Sequence, residues 1–326
     1  MDKRYYFGID IGGTTVKTGI FSAEGVLLEK SEIATRTGQG EEAIFGDIAA
    51  ELSRLAHANG AELSECAAGI DIAGPVDEEG FMERGVNLGL DEVCPARILS
   101  DMCGGMPSFA LNDANAAALG EIWQGGGRGV SSAVMITLGT GVGGGVIQGG
   151  RVISGTHGLG GEIGHICVEP GEEELCSCGG RGCLEQYASA TGIVRMARRV
   201  MAESEEYSGM RVTDPLTAKD VFDLAKKGDA LAVRAADESM DRLGRAMAMI
   251  CYVTDPESII IGGGVSRAGE YLRALAQSKM EKYARLSKHY PKVVLAELGN
   301  DAGICGAAKY AMDMTAKQTE APECGR

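Results

Sequence analysis

The feature that most limits what this chain can fold into is one pattern that occurs twice: an apolar strand, a glycine-rich turn, and a second strand. The first copy runs Tyr6-Phe7-Gly8-Ile9-Asp10-Ile11, then Gly12-Gly13, then Val16 to Phe21, with a turn at Glu24-Gly25 before Val26-Leu27-Leu28. The second runs from Ser132 to Leu138 and turns at Gly139-Thr140-Gly141-Val142-Gly143-Gly144-Gly145. It resumes at Val146-Ile147 and bends at Gly149-Gly150. Short apolar runs bounded by glycine predict antiparallel strands, and two copies of one arrangement predict a duplicated architecture.

The rest of the chain adds helices and buried strands. Ile44, Ile48, Leu52 and Leu55 share one face of a helix over about 41–59, with Gly60 as its stop. Residues 67–73 and 109–111 predict strands, the second leading through Asn112-Asp113 into an alanine-rich helix that ends near Trp123. Helical spacing recurs over 184–203, 217–226, 229–253 and 267–284, and Asp255-Pro256 ends the third of these. Strands follow at 258–261 and 293–295, and a last helix spans about 303–316. The expected architecture is α/β and two-lobed, with a cleft between the lobes. Residues 1–117 form a small lobe on which the 303–316 helix packs, 118–302 form a large lobe, and 317–326 make a disordered tail. A chain of 326 residues is long enough for two such bodies.

Composition narrows the possible partners. Net charge is −15, which disfavours nucleic acid and anionic membrane surfaces as partners. No apolar run approaches the ~18 residues of a membrane span. Met1 to Phe7 leads straight into a strand with no signal-peptide core, which predicts a cytoplasmic protein. Glycine supplies 49 of 326 residues, about twice its usual ~7 per cent share. Such a surplus points to special turns or to close approach of backbone to a ligand. Four of the ten cysteines crowd between Cys167 and Cys183.

Four segments carry chemistry. In Asp10-Ile11-Gly12-Gly13-Thr14-Thr15 a tight turn can aim backbone N–H groups at an anion, while Asp10 can hold Mg²⁺ through water; a plain hairpin is the alternative. The second turn spells G-x-G-x-x-G, but a strand follows it where a dinucleotide-binding fold needs a helix. A P-loop is excluded because no Gly-Lys pair occurs, and a nucleophile elbow because no G-x-S-x-G occurs. His165, Cys176, Cys178 and Cys183 match a closed tetrahedral structural zinc site; Cys167, in a strand-like setting, is the spare thiol. Asp113 stands at a strand-to-helix junction, where its local pattern fits a helix cap as well as a reactive carboxylate.

Together these segments resemble the ROK family of sugar kinases and sugar-responsive repressors, within the actin-like, hexokinase-like ATPase superfamily. The resemblance runs from Gly8 to about Ala311. It is most specific at Gly158-Leu159-Gly160-Gly161-Glu162-Ile163-Gly164-His165, followed by Cys176, Cys178, Cys183 and Glu185. It implies a two-lobed ribonuclease H-like (actin-like ATPase) fold and an ATP-dependent hexose kinase, with Mg²⁺ as cofactor. Asp10, Gly12, Gly13, Thr14 and Thr15 resemble the first phosphate motif, and Thr137 to Gly143, with Thr140 and Gly141, the second. Gly263 and Gly264 resemble the nucleoside-binding glycines. Asp113 matches the family's catalytic base, and Asn112, Glu162, His165 and Glu185 match its sugar ligands. Val86-Asn87-Leu88-Gly89 resembles the sugar-contacting loop of the family's glucokinases, although Leu90 stands where those enzymes carry tryptophan.

The resemblance implies conversion of glucose to glucose 6-phosphate, with N-acylmannosamine, fructose or allose kinases as neighbouring alternatives, and a homodimeric state. A sugar-responsive repressor would want a helix-turn-helix before the first phosphate motif, whereas only residues 1–9 precede Asp10 here. A sugar-binding protein without activity is disfavoured by the presence of both Asp10 and Asp113.

Overall fold

The structure, a computed structural model, describes residues 3–77, 79–85 and 88–320. It divides into two compact α/β units: residues up to 129 with 151–160 and 300 onward, and residues 130–150 with 161–299. The division expected at residue 117 falls inside a helix, Asp113–Gln124, that stays whole within the first unit.

The first unit begins with an antiparallel meander of β1 (Tyr5–Ile11), β2 (Thr15–Ser22) and β3 (Leu27–Ala34). Helix α1 (Glu41–Ala58) follows, then β4 (Cys66–Ile72), the hairpin β5 (Met82–Gly85) and β6 (Leu90–Val93), and α2 (Pro95–Met102). Strand β7 (Ser108–Asn112) runs directly into α3 (Asp113–Gln124). The two-residue strand β10 (Arg151–Val152) and the last helix α9 (Ala302–Glu320) also belong to this unit. The sheet order is β3-β2-β1-β4-β7, with β1, β4 and β7 parallel. Parallel strands need both faces covered. The predicted face of α1, with Ile44, Ile48, Leu52 and Leu55, is buried in one core with Phe7, Ile9 and Ile70, each such side chain contributing about 1.5–3 kcal/mol.

Helix α9 packs on β1, β4 and α3, and its approach explains part of the glycine surplus. A Cβ on Gly8 would lie 1.8 Å from the Ile304 carbonyl oxygen, and one on Gly69 would lie 1.8 Å from that of Ala307. Any side chain at either position would push the helix off the sheet. The helix is longer than expected and continues through residues 317–320; the remainder of the expected tail, 321–326, lies outside the described residues.

In the second unit β8 (Ala133–Leu138) turns antiparallel into β9 (Val142–Gln148). Strands β11 (Ser258–Gly262) and β12 (Lys292–Leu295) extend the sheet in parallel, in the order β9-β8-β11-β12. Its helices are α4 (Glu185–Ala188), α5 (Ala190–Ala202), α6 (Ala218–Lys226), α7 (Ala230–Thr254) and α8 (Glu270–Tyr283). The single helix expected over 184–203 is two, because extended Ser189 breaks the chain and caps α5 by accepting from the Gly192 N–H at 3.0 Å. Helix α7 ends as expected, at Asp255 in the left-handed conformation (φ 42°). Each unit thus repeats one plan, an antiparallel hairpin about a glycine turn followed by parallel strands. Among the described residues no helix is long and apolar enough to cross a membrane.

Candidate active site

The sequence-predicted residues fall into one set on each unit. On the first unit, the Asp10 turn is closed by the Gly12 N–H donating to the Thr15 carbonyl at 3.0 Å. It is braced from outside by Thr35, whose hydroxyl donates to the Gly12 carbonyl at 2.7 Å. Gly13 and Thr14 are exposed at its tip. Asp10 lies at the end of β1, where burial raises its carboxyl above the ordinary range and Lys17, 3.3 Å away, pulls it back.

Asp113 is the first residue of α3 and is solvent-exposed. Its Oδ1 accepts from the Ala114 N–H at 2.9 Å, but the N-cap residue is its neighbour. Asn112 Oδ1 accepts from the N–H groups of Ala114 (2.9 Å) and Asn115 (3.3 Å). Asn112 Nδ2 donates to the Gly74 carbonyl (3.0 Å) and to Asp113 Oδ1 (2.9 Å). Asn112 therefore ends the strand, starts the helix and orients the Asp113 carboxylate, whose anion the helix N-terminus favours.

Between these two carboxylates stands one that sequence reasoning missed. Asp71 ends β4 in register with Asp10 on β1 and Leu111 on β7. It is 2% exposed, and burial, then the charges of Asp10 and Asp113, hold its carboxyl well above the usual range.

On the second unit, the true turn is only Gly139-Thr140-Gly141, since β9 begins at Val142. The Gly139 carbonyl accepts from the Ala190 N–H at 2.8 Å and that of Thr140 from the Thr191 hydroxyl at 3.0 Å, so the start of α5 fixes the turn. A cavity of about 500 Å³ opens beside it, lined by Gly139, Thr140, Phe222, Gly264, Val265 and Arg267 among others. Thr140 and Gly264, far apart in sequence, thus meet in one pocket. Gly263 next to it adopts φ 79°, and a Cβ there would lie 2.5 Å from the Leu138 carbonyl oxygen, so only glycine fits. Phe222 supplies an apolar wall; in the sequence it reads only as one more core position of α6.

Glu185, at the start of α4, bridges the turn and the cysteine loop. Its Oε2 accepts from the Val142 N–H at 3.1 Å, and its Oε1 accepts from the Ser177 hydroxyl at 3.0 Å with Cys176 Sγ at 3.8 Å. Gly141 makes room for it, since a Cβ there would come within 2.2 Å of Oε2.

His165, Cys176, Cys178 and Cys183 converge, their ligand atoms all within 4.8 Å of one another. The separations are 3.8 Å from His165 Nδ1 to Cys176 Sγ and 3.7 Å between the sulfurs of Cys178 and Cys183. Bonds of ~2.3 Å from sulfur to a tetrahedral ion set neighbouring ligands roughly 3.8 Å apart, so this donor set fits a metal. Burial and the adjacent thiols push Cys183 up to about 12, a strain that a bound cation relieves. Cys167 is outside the group; only its backbone pairs, antiparallel, with that of Cys183. Glu162 and His165 are both exposed, at the two ends of a short turn.

The same loop is anchored away from its cysteines. Buried Glu172 accepts from the Tyr187 hydroxyl (2.5 Å), Arg195 Nη2 (2.8 Å) and Arg199 Nη2 (2.9 Å). Arg195 and Arg242 each lie over the Tyr187 ring, at 5.0 and 5.5 Å. In the first unit Asn87 lies outside the described residues, and Leu90, in the place of the expected tryptophan, is buried in the core.

The sequence profile described as the ROK family matches residues 6–314. A glucokinase from Halalkalibacterium halodurans is 39% identical over 317 residues, which cover 94% of each chain. A ROK hexokinase from Thermus thermophilus has a similar structure, with a TM-score of 0.81 at 32% identity, covering 96% of this chain and 99% of that one. A ROK family glucokinase from Streptomyces griseus, solved in complex with glucose and AMPPNP, gives a TM-score of 0.73 at 33% identity, covering 95% and 99%. The expected two-lobed actin-like ATPase fold is thereby borne out. Profile, relatives and fold agree along almost the whole sequence, and the chain is a member of the ROK family.

Proposed function

We propose that this chain is an ATP-dependent hexose kinase that converts glucose to glucose 6-phosphate. The observation that carries the proposal is the Asp113 carboxylate, exposed at a helix N-terminus and oriented by Asn112, at the C-terminal end of the parallel strands that also bears the Asp10 turn. Asp113 accepts the proton of the attacking sugar hydroxyl as the oxygen–phosphorus bond forms and the bond from the γ-phosphorus to the bridging oxygen of ADP breaks. Phosphoryl transfer has a loose transition state, so the protein contributes mostly positioning and charge neutralisation. Gly12, Gly13, Thr14 and Thr15 receive phosphate oxygens on the first unit, and Thr140 and Gly141 on the second. Gly264 lines the nucleoside pocket, with Phe222 as a wall against the base, and Gly263 turns the chain beside it.

Magnesium would supply charge neutralisation on the phosphates, and Asp10 would hold it. Asn112, Glu162, His165 and Glu185, with Asn87, bind sugar hydroxyls. Such a site rejects sugars lacking a hydroxyl more sharply than an apolar pocket would. The Cys/His cluster would hold structural zinc, which would set the position of the His165 imidazole. A homodimeric state is proposed on the family resemblance.

A coupled ADP-release assay across a hexose panel tests the proposal. Glucose is expected to give the highest kcat/KM, above mannose, fructose, allose and N-acetylmannosamine. A higher value for another sugar would reassign the substrate; no sugar-dependent ADP release at all would remove the kinase function.

A further inference from the structure

We propose that Asp71 is a second carboxylate ligand, beside Asp10, for the divalent cation that accompanies the nucleotide, and that this pair binds the cation before the nucleotide arrives. Asp71 Oδ1 is buried and has no hydrogen-bond partner among the described residues. An ionised carboxylate oxygen left that way is costly unless a charge or donor meets it. The local arrangement supplies more negative charge instead. Asp10 pairs with Asp71 across β1 and β4, and Asp113 and Glu32 add to the same field. Lys17 offsets part of it, 3.3 Å from Asp10.

Gly303, in the first turn of α9, shows how closely the carboxylates converge. A Cβ there would lie 2.1 Å from Asp71 Oδ2 and 3.5 Å from Asp10 Cγ. The two side chains therefore meet under one point of the helix, with Gly303 leaving the space. A donor set made only of carboxylate oxygens selects a hard cation, Mg²⁺ or Mn²⁺, over the zinc that suits the thiolate cluster. Magnesium sites in phosphoryl-transfer enzymes commonly use one or two carboxylates and complete their shell with water and phosphate. With Asp10 alone, the nucleotide would bring the ion; with Asp71 added, the protein holds it unaided.

Asp71's role presupposes the phosphate site at the Asp10 turn, yet the two can fail separately. Mn²⁺ is titrated into zinc-loaded, nucleotide-free protein while free Mn²⁺ is followed by electron paramagnetic resonance. The wild type is expected to take up one Mn²⁺ per chain. Asp71→Asn is expected to weaken that uptake by about tenfold or more, with zinc content and melting temperature as controls of folding. Asp71→Gly, which leaves no buried amide, serves as the second variant and is expected to weaken uptake equally. No Mn²⁺ uptake by the wild type without nucleotide, or unchanged uptake by the Asp71 variants, overturns the assignment, and glucose turnover by the same preparation would leave the kinase function standing.

Discussion

Asp113→Asn is expected to lower kcat by about 10³-fold or more, with little change in the KM for glucose. The variant removes the proton acceptor and little else. The helix keeps its cap, because Asn112 accepts from the N–H groups of both Ala114 and Asn115, whereas Asp113 only shares that of Ala114, through an oxygen that asparagine retains. The side chain is exposed and nearly isosteric with asparagine, so the fold loses at most the roughly 0.3–1 kcal/mol that a negative charge contributes at a helix start. Steady-state kinetics with unchanged melting temperature and zinc content would separate the two effects. Near-normal turnover would reduce Asp113 to a helix-terminal charge.

The second large effect is expected at the metal cluster. The wild type should carry about one zinc per chain, and Cys178→Ala should lose it and raise the KM for glucose by about tenfold or more. Structural zinc can contribute roughly 10–16 kcal/mol to the folding of its loop, but here part of the loop has an independent anchor. Glu172 ties its middle to Tyr187, Arg195 and Arg199. Loss of metal should therefore loosen His165 and the 176–183 turn, and with it Ser177 against Glu185, while the core around α5 and α7 persists. Metal analysis of reduced protein together with glucose kinetics checks this. Absence of zinc from the wild type, or an unchanged KM in the variant, would contradict it.

What the sequence made legible were features written in contiguous residues. Both glycine turns, the Asn112-Asp113 junction and the spacing of His165, Cys176, Cys178 and Cys183 are local strings, and each is found at a strand end, helix start or clustered loop. Features made by distant segments were not legible. Asp71 reads as a polar interruption of the strand Ala67-Ala68-Gly69-Ile70-Asp71-Ile72. Its meaning comes from β1, from Asp113 and from Gly303, more than two hundred residues further along. Phe222 becomes a pocket wall only when α6 is laid beside Gly139 and Gly264.

Two local readings also yielded to tertiary context. The helical spacing over 184–203 continues through Ser189, yet the residue takes extended dihedrals and caps α5, as serine does where its hydroxyl can satisfy an N–H. The glycine surplus, read as a signature of ligand-binding turns, also serves the close seating of α9 against Gly8 and Gly69. Abundance of glycine reports close backbone approach, and composition does not say whether ligand or helix is the visitor.

The proposed reaction moves phosphorus from ATP to a sugar oxygen. Phosphorus-31 magnetic resonance of a reaction mixture follows that atom directly. Glucose and Mg·ATP with the wild type should give a phosphomonoester signal at the 6-position, growing in step with ADP and requiring both substrates. ATP consumed to inorganic phosphate with no sugar ester, or left intact beside glucose, would contradict the account.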